Sequence, residues 1–439
     1  MMRVLVVSHT VFSETNNMGK TLLTYFEKFQ PNEVAQFYVH SEVPTVDSVC
    51  HRYYRFTDKD AIKSIILPEI QGVGFGVQDI QQGRKSSRTD IGITNKLYRL
   101  GAKRTAGIFW LRNMVWKLSR WENRKLWKWV DDFSPDVVLF AAGDYAFMYD
   151  IAREIAEHVR KPLVIACVDD FFFYNKNEDS LLGRIVHKHF MKTVHRTMDH
   201  AAEILTICDS MQQEYGRLFH KKCKVLYTAA QRGTLPVRAD SNQISYIGNL
   251  ELGRYCQLIE LGQTLCRIRE KGYPDAIDVY SMEKDPQILK HLTLENGIRF
   301  HGAISAEQVQ EVMRSSMAVI HTESFDPKIM QRIRFSVSTK IAESLMNGPC
   351  LIAYGPEGIA SIDYLKENGA AYTITDPKQL ETGLREILTN AQLREQIVGR
   401  ARELAKANHS MEVNPVNVRK WLTQACEEFD EQESQCAIE

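Results

Sequence analysis

The sequence predicts an α/β protein of two doubly wound halves followed by a helical C-terminal segment. Three observations predict it. The 439 residues exceed the roughly 250–300 at which one hydrophobic core stops growing. Short apolar runs rich in β-branched residues alternate with longer helical patterns, the rhythm of parallel sheets wrapped by helices. That rhythm breaks at the polar stretch Gln231–Gln243, which carries Gly233 and Pro236, and then restarts.

In the first half, Val4–Val7, Val137–Phe140, Leu163–Val168, Ile204–Ile207 and Lys224–Tyr227 read as buried strands. In the second half, Ile244–Ile247, Ala276–Tyr280, Ile298–Phe300, Ala318–His321, Cys350–Tyr354 and Ala371–Ile374 repeat the pattern. Domains are therefore expected at 1–235 and 243–412, with 413–439 forming the helical segment and an acidic tail. Open α/β sheets bind ligands beyond the carboxyl ends of their strands. With two such halves, a cleft between them is the expected site. Gln71–Asp90, with Gly72, Gly74, Gly76 and Gly83, reads as a loop.

The composition, 44% hydrophobic and 25% charged, is that of a globular chain. Nine cysteines, an odd number with no C-x-x-C pair, argue against a disulfide framework and a zinc site and imply a reducing compartment. Four apolar residues, Val4–Val7, precede Ser8-His9, too few for a signal-peptide core or a membrane span. A cytoplasmic protein is expected.

Asn17-Met18-Gly19-Lys20-Thr21 ends like a phosphate-binding P-loop, yet the first glycine of that motif is replaced by Glu14, an anion where backbone amides should cradle phosphate. Gly19 reads instead as a position where backbone approaches the substrate after the first strand. The richer region is Phe335–Cys350. Ser338 is a good N-cap and Gly348-Pro349 a good stop, so a short helix over Ser338 to Asn347 is predicted. Its amide-rich N-terminus, with Ser338, Thr339 and Lys340, favours a diphosphate. Lys340 and Glu343 share a helix face, which suits phosphate and ribose contacts and equally suits a surface ion pair.

This stretch resembles the retaining GT-B glycosyltransferases of the bacterial surface-polysaccharide group, whose C-terminal halves carry an S-x-K-x-x-E helix before a Gly-Pro step. Ser338, Lys340, Glu343, Gly348 and Pro349 match, as do Gly19, Tyr246-Ile247-Gly248 with Arg254 after it, and Gly355-Pro356. The resemblance implies a GT-B fold of two Rossmann-like domains facing a cleft. It also implies transfer of a sugar, with retention, from a nucleoside diphosphate sugar to a saccharide or lipid-linked acceptor. Glu343 would bind ribose, Arg254 and Lys340 the diphosphate, and an earlier Glu the donor sugar. The family spacing puts that Glu where Phe335 stands; Glu323, in Glu323-Ser324-Phe325, matches better with twelve extra residues between. Gly248 joins the substrate-binding set, and both basic residues are expected on a polar wall.

Asp144 and the pair Asp169-Asp170 follow predicted strands, as does His9, so all four are candidates to orient or deprotonate an acceptor; strand-end turns explain them equally well. His187, His189, His195 and His200 form no convincing metal set, and no metal or cofactor is expected beyond the donor substrate. From Arg84 to Lys128, thirteen Lys or Arg face two acids, Asp90 and Glu122. The stretch 84–112 is therefore expected to meet an anionic membrane, peripherally on the inner face. Without a recognised reading module, nucleic acid is not an expected partner. The rival functions are a nucleotide-sugar epimerase of the same architecture and a donor-binding scaffold without catalysis.

Overall fold

The computed structural model describes residues 2–14, 17–67, 69–81, 105–173, 180–233, 241–270 and 272–436. The chain divides into two compact units, Met1–Leu226 with Asn414–Glu439, and Tyr227–Val413.

Among the described residues, the first unit is built on an eight-stranded sheet. In chain order its strands are β1 (Val4–Ser8), β2 (Val34–Tyr38), β3 (Arg52–Arg55), β4 (Val73–Gly76), β5 (Val137–Ala142), β6 (Leu163–Cys167), β7 (Ala201–Thr206) and β8 (Cys223–Val225), and their spatial order is β4-β3-β2-β1-β5-β6-β7-β8. All neighbours are parallel except β3 and β4. The chain steps outward from β1 to β4 and then returns to lay β5 against the other side of β1, so the order reverses between these two strands.

The second unit holds a parallel sheet of β9 (Ile244–Ile247), β10 (Ile277–Tyr280), β11 (Ile298–Gly302), β12 (Ala318–Thr322), β13 (Cys350–Tyr354) and β14 (Tyr372–Ile374), ordered β11-β10-β9-β12-β13-β14. Here the reversal falls between β9 and β12. Alternate residues point to opposite faces, and both faces are covered. Cys350, Ile352 and Tyr354 of β13 join one core, while Leu351 and Ala353 join the other. This double burial is why the strands read as continuous apolar runs.

The C-terminal helix, Asn414–Cys436, belongs to the first unit, to whose core it contributes Val418, Leu422 and Ala425 at helical spacing.

One local expectation changes. Within Gln71–Asp90, Val73–Gly76 is a strand paired antiparallel with β3 and Val77–Gln81 is a helix, while 82–90 lies outside the described residues. Glycines hide this strand in the sequence, because its partner supplies the order that its own side chains do not. Two further strands, β2 and β3, also carry weak signals. Polar Gln36 is fully buried in β2, where its side chain accepts from the Phe12 amide and donates to Ser8 Oγ, and β3 has arginines at both ends.

Candidate active site

In the second unit the site is built where the strand order reverses. After β9, Gly248 donates its amide to Tyr280 O at 3.1 Å, and the chain turns through Gly253 (φ 76°) into the Arg254–Arg267 helix. A Cβ on Gly253 would lie 2.8 Å from Ser324 Oγ, so glycine is needed there both for its backbone and for space. The turn places Arg254 at the helix start, beside the end of β12. There Glu323 follows directly on Thr322.

Arg254 Nε and NH2 donate to Glu323 Oε2 and Oε1 at 3.0 and 2.9 Å, and its NH1 donates to Asn249 Oδ1 at 2.6 Å. The side chains are 14% and 1% exposed, so the pair is buried, not spread on a polar wall. Burial pushes the Glu323 carboxyl above its usual range while the Arg254 charge pulls it back. Burial also opposes the guanidinium charge, but Glu323 outweighs it and lifts the Arg254 pKa. The fork geometry of two parallel bonds favours the ionised pair. His321 is buried beside it, with Nε2 3.1 Å from Ser361 Oγ and 3.7 Å from Glu323 Oε1. Burial, reinforced by Arg254, drops its pKa to about 3, so it is neutral at pH 7.

The twelve residues that separate this chain from the family spacing include a short helix, Pro327–Ile333, capped by Asp326. Phe335 is buried in the core with the Arg334 guanidinium 4.2 Å from its ring.

The predicted donor helix is present as Thr339–Asn347, with Ser338 as N-cap accepting from the Lys340 amide at 3.3 Å. Ile341, Ala342, Ser344 and Leu345 face inward, leaving Lys340 and Glu343 on the partly exposed side, where they pair at 2.8 Å. Thr339 opens the helix beside them. Glycine at the Gly348 stop has a steric cause: a Cβ there would meet Ser344 O at 2.5 Å.

The first unit gathers a different set. His9, after β1, stacks on Tyr145, which follows Asp144 after β5, with ring centroids 4.8 Å apart. The Arg112 guanidinium lies 4.0 Å over Tyr145, with NH2 3.1 Å from His9 Nε2 and Nε donating to Asp58 Oδ1 at 2.9 Å. Arg112 therefore differs from its expected membrane-facing placement: its side chain is turned into the protein. Neither Tyr145, Asp58 nor this role of Arg112 is visible in the sequence, since long-range packing brings them together. Of the basic stretch 84–112, residues 84–104 lie outside the described residues.

Asp169 and Asp170 follow β6. Asp170 is buried, and its Oδ1 accepts from the Phe172 and Phe173 amides at 3.2 Å and from Tyr215 OH at 3.0 Å, while its own amide donates to Asp169 Oδ1 at 2.9 Å. Gly19 sits in the Asn17–Phe26 helix against its own loop: a Cβ there would come 2.7 Å from Val11 O.

Two doubly wound parallel units with a terminal helix define the GT-B glycosyltransferase fold, and the comparisons agree. Residues 264–417 match a family described as glycosyl transferase-like. Among solved structures, HepE of Anabaena in complex with UDP and glucose aligns at TM-score 0.60 and 11% identity, covering 96% of this chain and 100% of that one. Sucrose-phosphate synthase of Thermosynechococcus elongatus aligns at 0.59 and 10%, covering 96% and 98%. The lipopolysaccharide outer core galactosyltransferase WaaB, in its apo form, aligns at 0.56 and 11%, covering 97% and 99%. No curated protein matches the sequence.

Proposed function

We propose that the protein transfers a sugar from a nucleoside diphosphate sugar to a saccharide or lipid-linked acceptor, with retention, in glycoconjugate or polysaccharide synthesis. The observation that carries this reading is the Ser338-capped helix with Lys340 and Glu343 on its open side, in a unit of GT-B fold whose sequence matches a glycosyl transferase-like family. Lys340 and the helix amides would receive the diphosphate, Glu343 the ribose diol, and Arg254 the developing charge on the leaving group. These groups are cationic or amide donors, so the reaction is proposed to proceed without a metal and to persist in excess EDTA.

Both oxygens of Glu323 accept from Arg254, so a sugar contact from Glu323 would use a remaining lone pair on one of them. On the acceptor side, Asp170 holds its own turn, and we assign acceptor orientation to His9, Asp144 and Asp169.

A lipid-linked acceptor would be met at an anionic inner leaflet through the stretch 84–112, Arg112 excepted. Exposed apolar side chains support this contact: Trp110 and Leu111 on the Ala106–Leu118 helix, and Ile62 and Ile66 on the neighbouring Asp58–Ile66 helix. No helix among the described residues is long and apolar enough to cross a membrane.

The test is mass analysis after incubation with a panel of nucleotide sugars, beginning with UDP-sugars, and candidate acceptors. Free diphosphate with a glycosylated acceptor is expected. An isomerised donor would point to the epimerase, and bound but unchanged donor to a scaffold. The anomeric configuration of the product, read by NMR, tests retention.

A further inference from the structure

A cavity of about 350 Å³ lies wholly within the first unit and is lined by none of the residues that follow β1, β5 or β6. Its size falls in the range of about 300–1,000 Å³ common for small-molecule sites. Lys125, Lys128, Trp129 and Asp132 wall one side. Their spacing of i, i+3, i+4 and i+7 sets them on one stripe of the Arg124–Phe133 helix. Arg52 and Tyr54, alternate residues on one face of β3, form the floor. A Cβ on Gly74 would come 3.1 Å from Trp129 Cδ1, so glycine lets β4 lie flush against the aromatic wall.

The charges in this cavity are unbalanced. Arg52, Lys125 and Lys128 face one acid, Asp132, a surplus of two positive charges. Asp132 pairs with Lys128 at 3.9 Å. Arg52 NH2 donates to Trp129 O at 2.9 Å, but Arg52 Nε is buried with no hydrogen-bond partner among the described residues. A buried N–H donor without a partner costs free energy, and the half-buried Arg52 carries one such donor into a cavity wall that can receive an anion. The guanidinium lies 5.6 Å from the Trp129 ring and 5.8 Å from the Phe133 ring.

We propose that this cavity is a binding site for a small phosphorylated ligand, a phosphomonoester carried on a ring such as a sugar phosphate. A phosphomonoester brings a charge of about −1.5 to −2 at pH 7, which matches the surplus. Lys125, Lys128 and Arg52 hold the phosphate. Trp129 keeps a small exposed part in the cavity wall, the apolar surface against which a sugar ring packs, and the buried Tyr54 ring backs it at 5.5 Å. The site is separate from the donor helix, which belongs to the other unit.

The test is calorimetric titration of the full chain with glucose 6-phosphate, glucose and inorganic phosphate, each with and without saturating UDP. Glucose 6-phosphate is expected to bind one per chain, glucose not detectably, and inorganic phosphate more weakly than the sugar phosphate. UDP should leave the titration unchanged. A Lys125→Gln/Lys128→Gln variant, altered at exposed positions where folding is insensitive, should weaken glucose 6-phosphate by about tenfold or more, as expected for lost charge-assisted bonds. Arg52→Gln should weaken it as well. No binding by the wild type, equal affinity in the double variant, or displacement by UDP would each overturn the proposal. Inorganic phosphate binding as tightly as the sugar phosphate would refute the ring contact.

Discussion

Arg254 reaches from the end of β9 to the end of β12 and grips both carboxylate oxygens of Glu323, at 3.0 and 2.9 Å, in the interior of the second unit. The pair ties together the two strands between which the sheet reverses direction, where ligands of open α/β sheets bind. It is therefore a structural clamp at the strand ends, and under the proposed function Arg254 is the charge assigned to the leaving group.

Removing one partner of a buried pair strands the other. Glu323→Ala is expected to lower stability by roughly 3–5 kcal/mol, and Arg254→Ala by a similar amount in addition to abolishing transfer. Arg254→Lys keeps a charge but loses the fork, so it should retain part of the stability and little of the activity. Urea titrations monitored by circular dichroism measure the first effect. If both alanine variants unfold at the wild-type midpoint, the clamp is not structural.

The pair formed by Lys340 and Glu343 should behave differently. Its side chains are 39% and 32% exposed, and surface pairs of this kind contribute about 0–1 kcal/mol. Glu343→Ala should therefore leave stability nearly unchanged while weakening UDP binding by roughly 1.5–3 kcal/mol, the value of a hydrogen bond to a charged group. Calorimetric titration with UDP decides it, and an unaltered affinity removes Glu343 from the site.

How far these residues could be read from sequence depends on whether their cause is local. The helix over Thr339–Asn347 was legible because its cap, charges and Gly348 stop are neighbours in the chain, and strands such as β13 were legible as unbroken apolar runs, whereas β2 was hidden by its buried Gln36. Arg254 and Glu323 could be singled out, but not their embrace, which depends on β9 and β12 lying side by side though 69 residues separate the partners. Arg112 was misplaced for the same reason. A count of charges along the chain cannot register that Asp58, 54 residues earlier, turns this one arginine inward.

The proposed membrane contact makes a separable prediction. Replacing Lys96, Arg99, Lys103 and Arg104 with Gln should release the protein from anionic vesicles, since each basic residue near such a surface contributes about 1 kcal/mol. Binding should weaken with salt as the screening length shortens, and UDP affinity should be unaffected because Lys340 and Glu343 belong to the other unit. Equal sedimentation of variant and wild type with anionic vesicles would favour a soluble acceptor.

The C-terminal helix supplies the last prediction. Arg419 NH1 and NH2 donate to Glu33 Oε1 and Oε2 at 3.1 and 2.6 Å, and its guanidinium lies 4.1 Å from the Phe29 ring. The hydrogen bonds from Arg419, helped by the Gln30 amide, hold the Glu33 carboxyl below its usual range against the opposing effect of burial. A carboxylate with a depressed folded-state pKa contributes stability that is fully present above the unfolded value, about 4.3, and is lost as pH falls below it through the folded value. Glu33→Gln should thus destabilise the protein at pH 7, and the gap between variant and wild type should narrow as the pH is lowered below about 4.3. Arg419→Ala should lower stability at neutral pH too, with a further loss from uncovering Phe29 and disturbing the helix that seats Val418, Leu422 and Ala425. Urea unfolding at a series of pH values from 7 to 3 gives the comparison. A stability difference between Glu33→Gln and wild type that stays constant across that range would show that this ion pair does not anchor the helix.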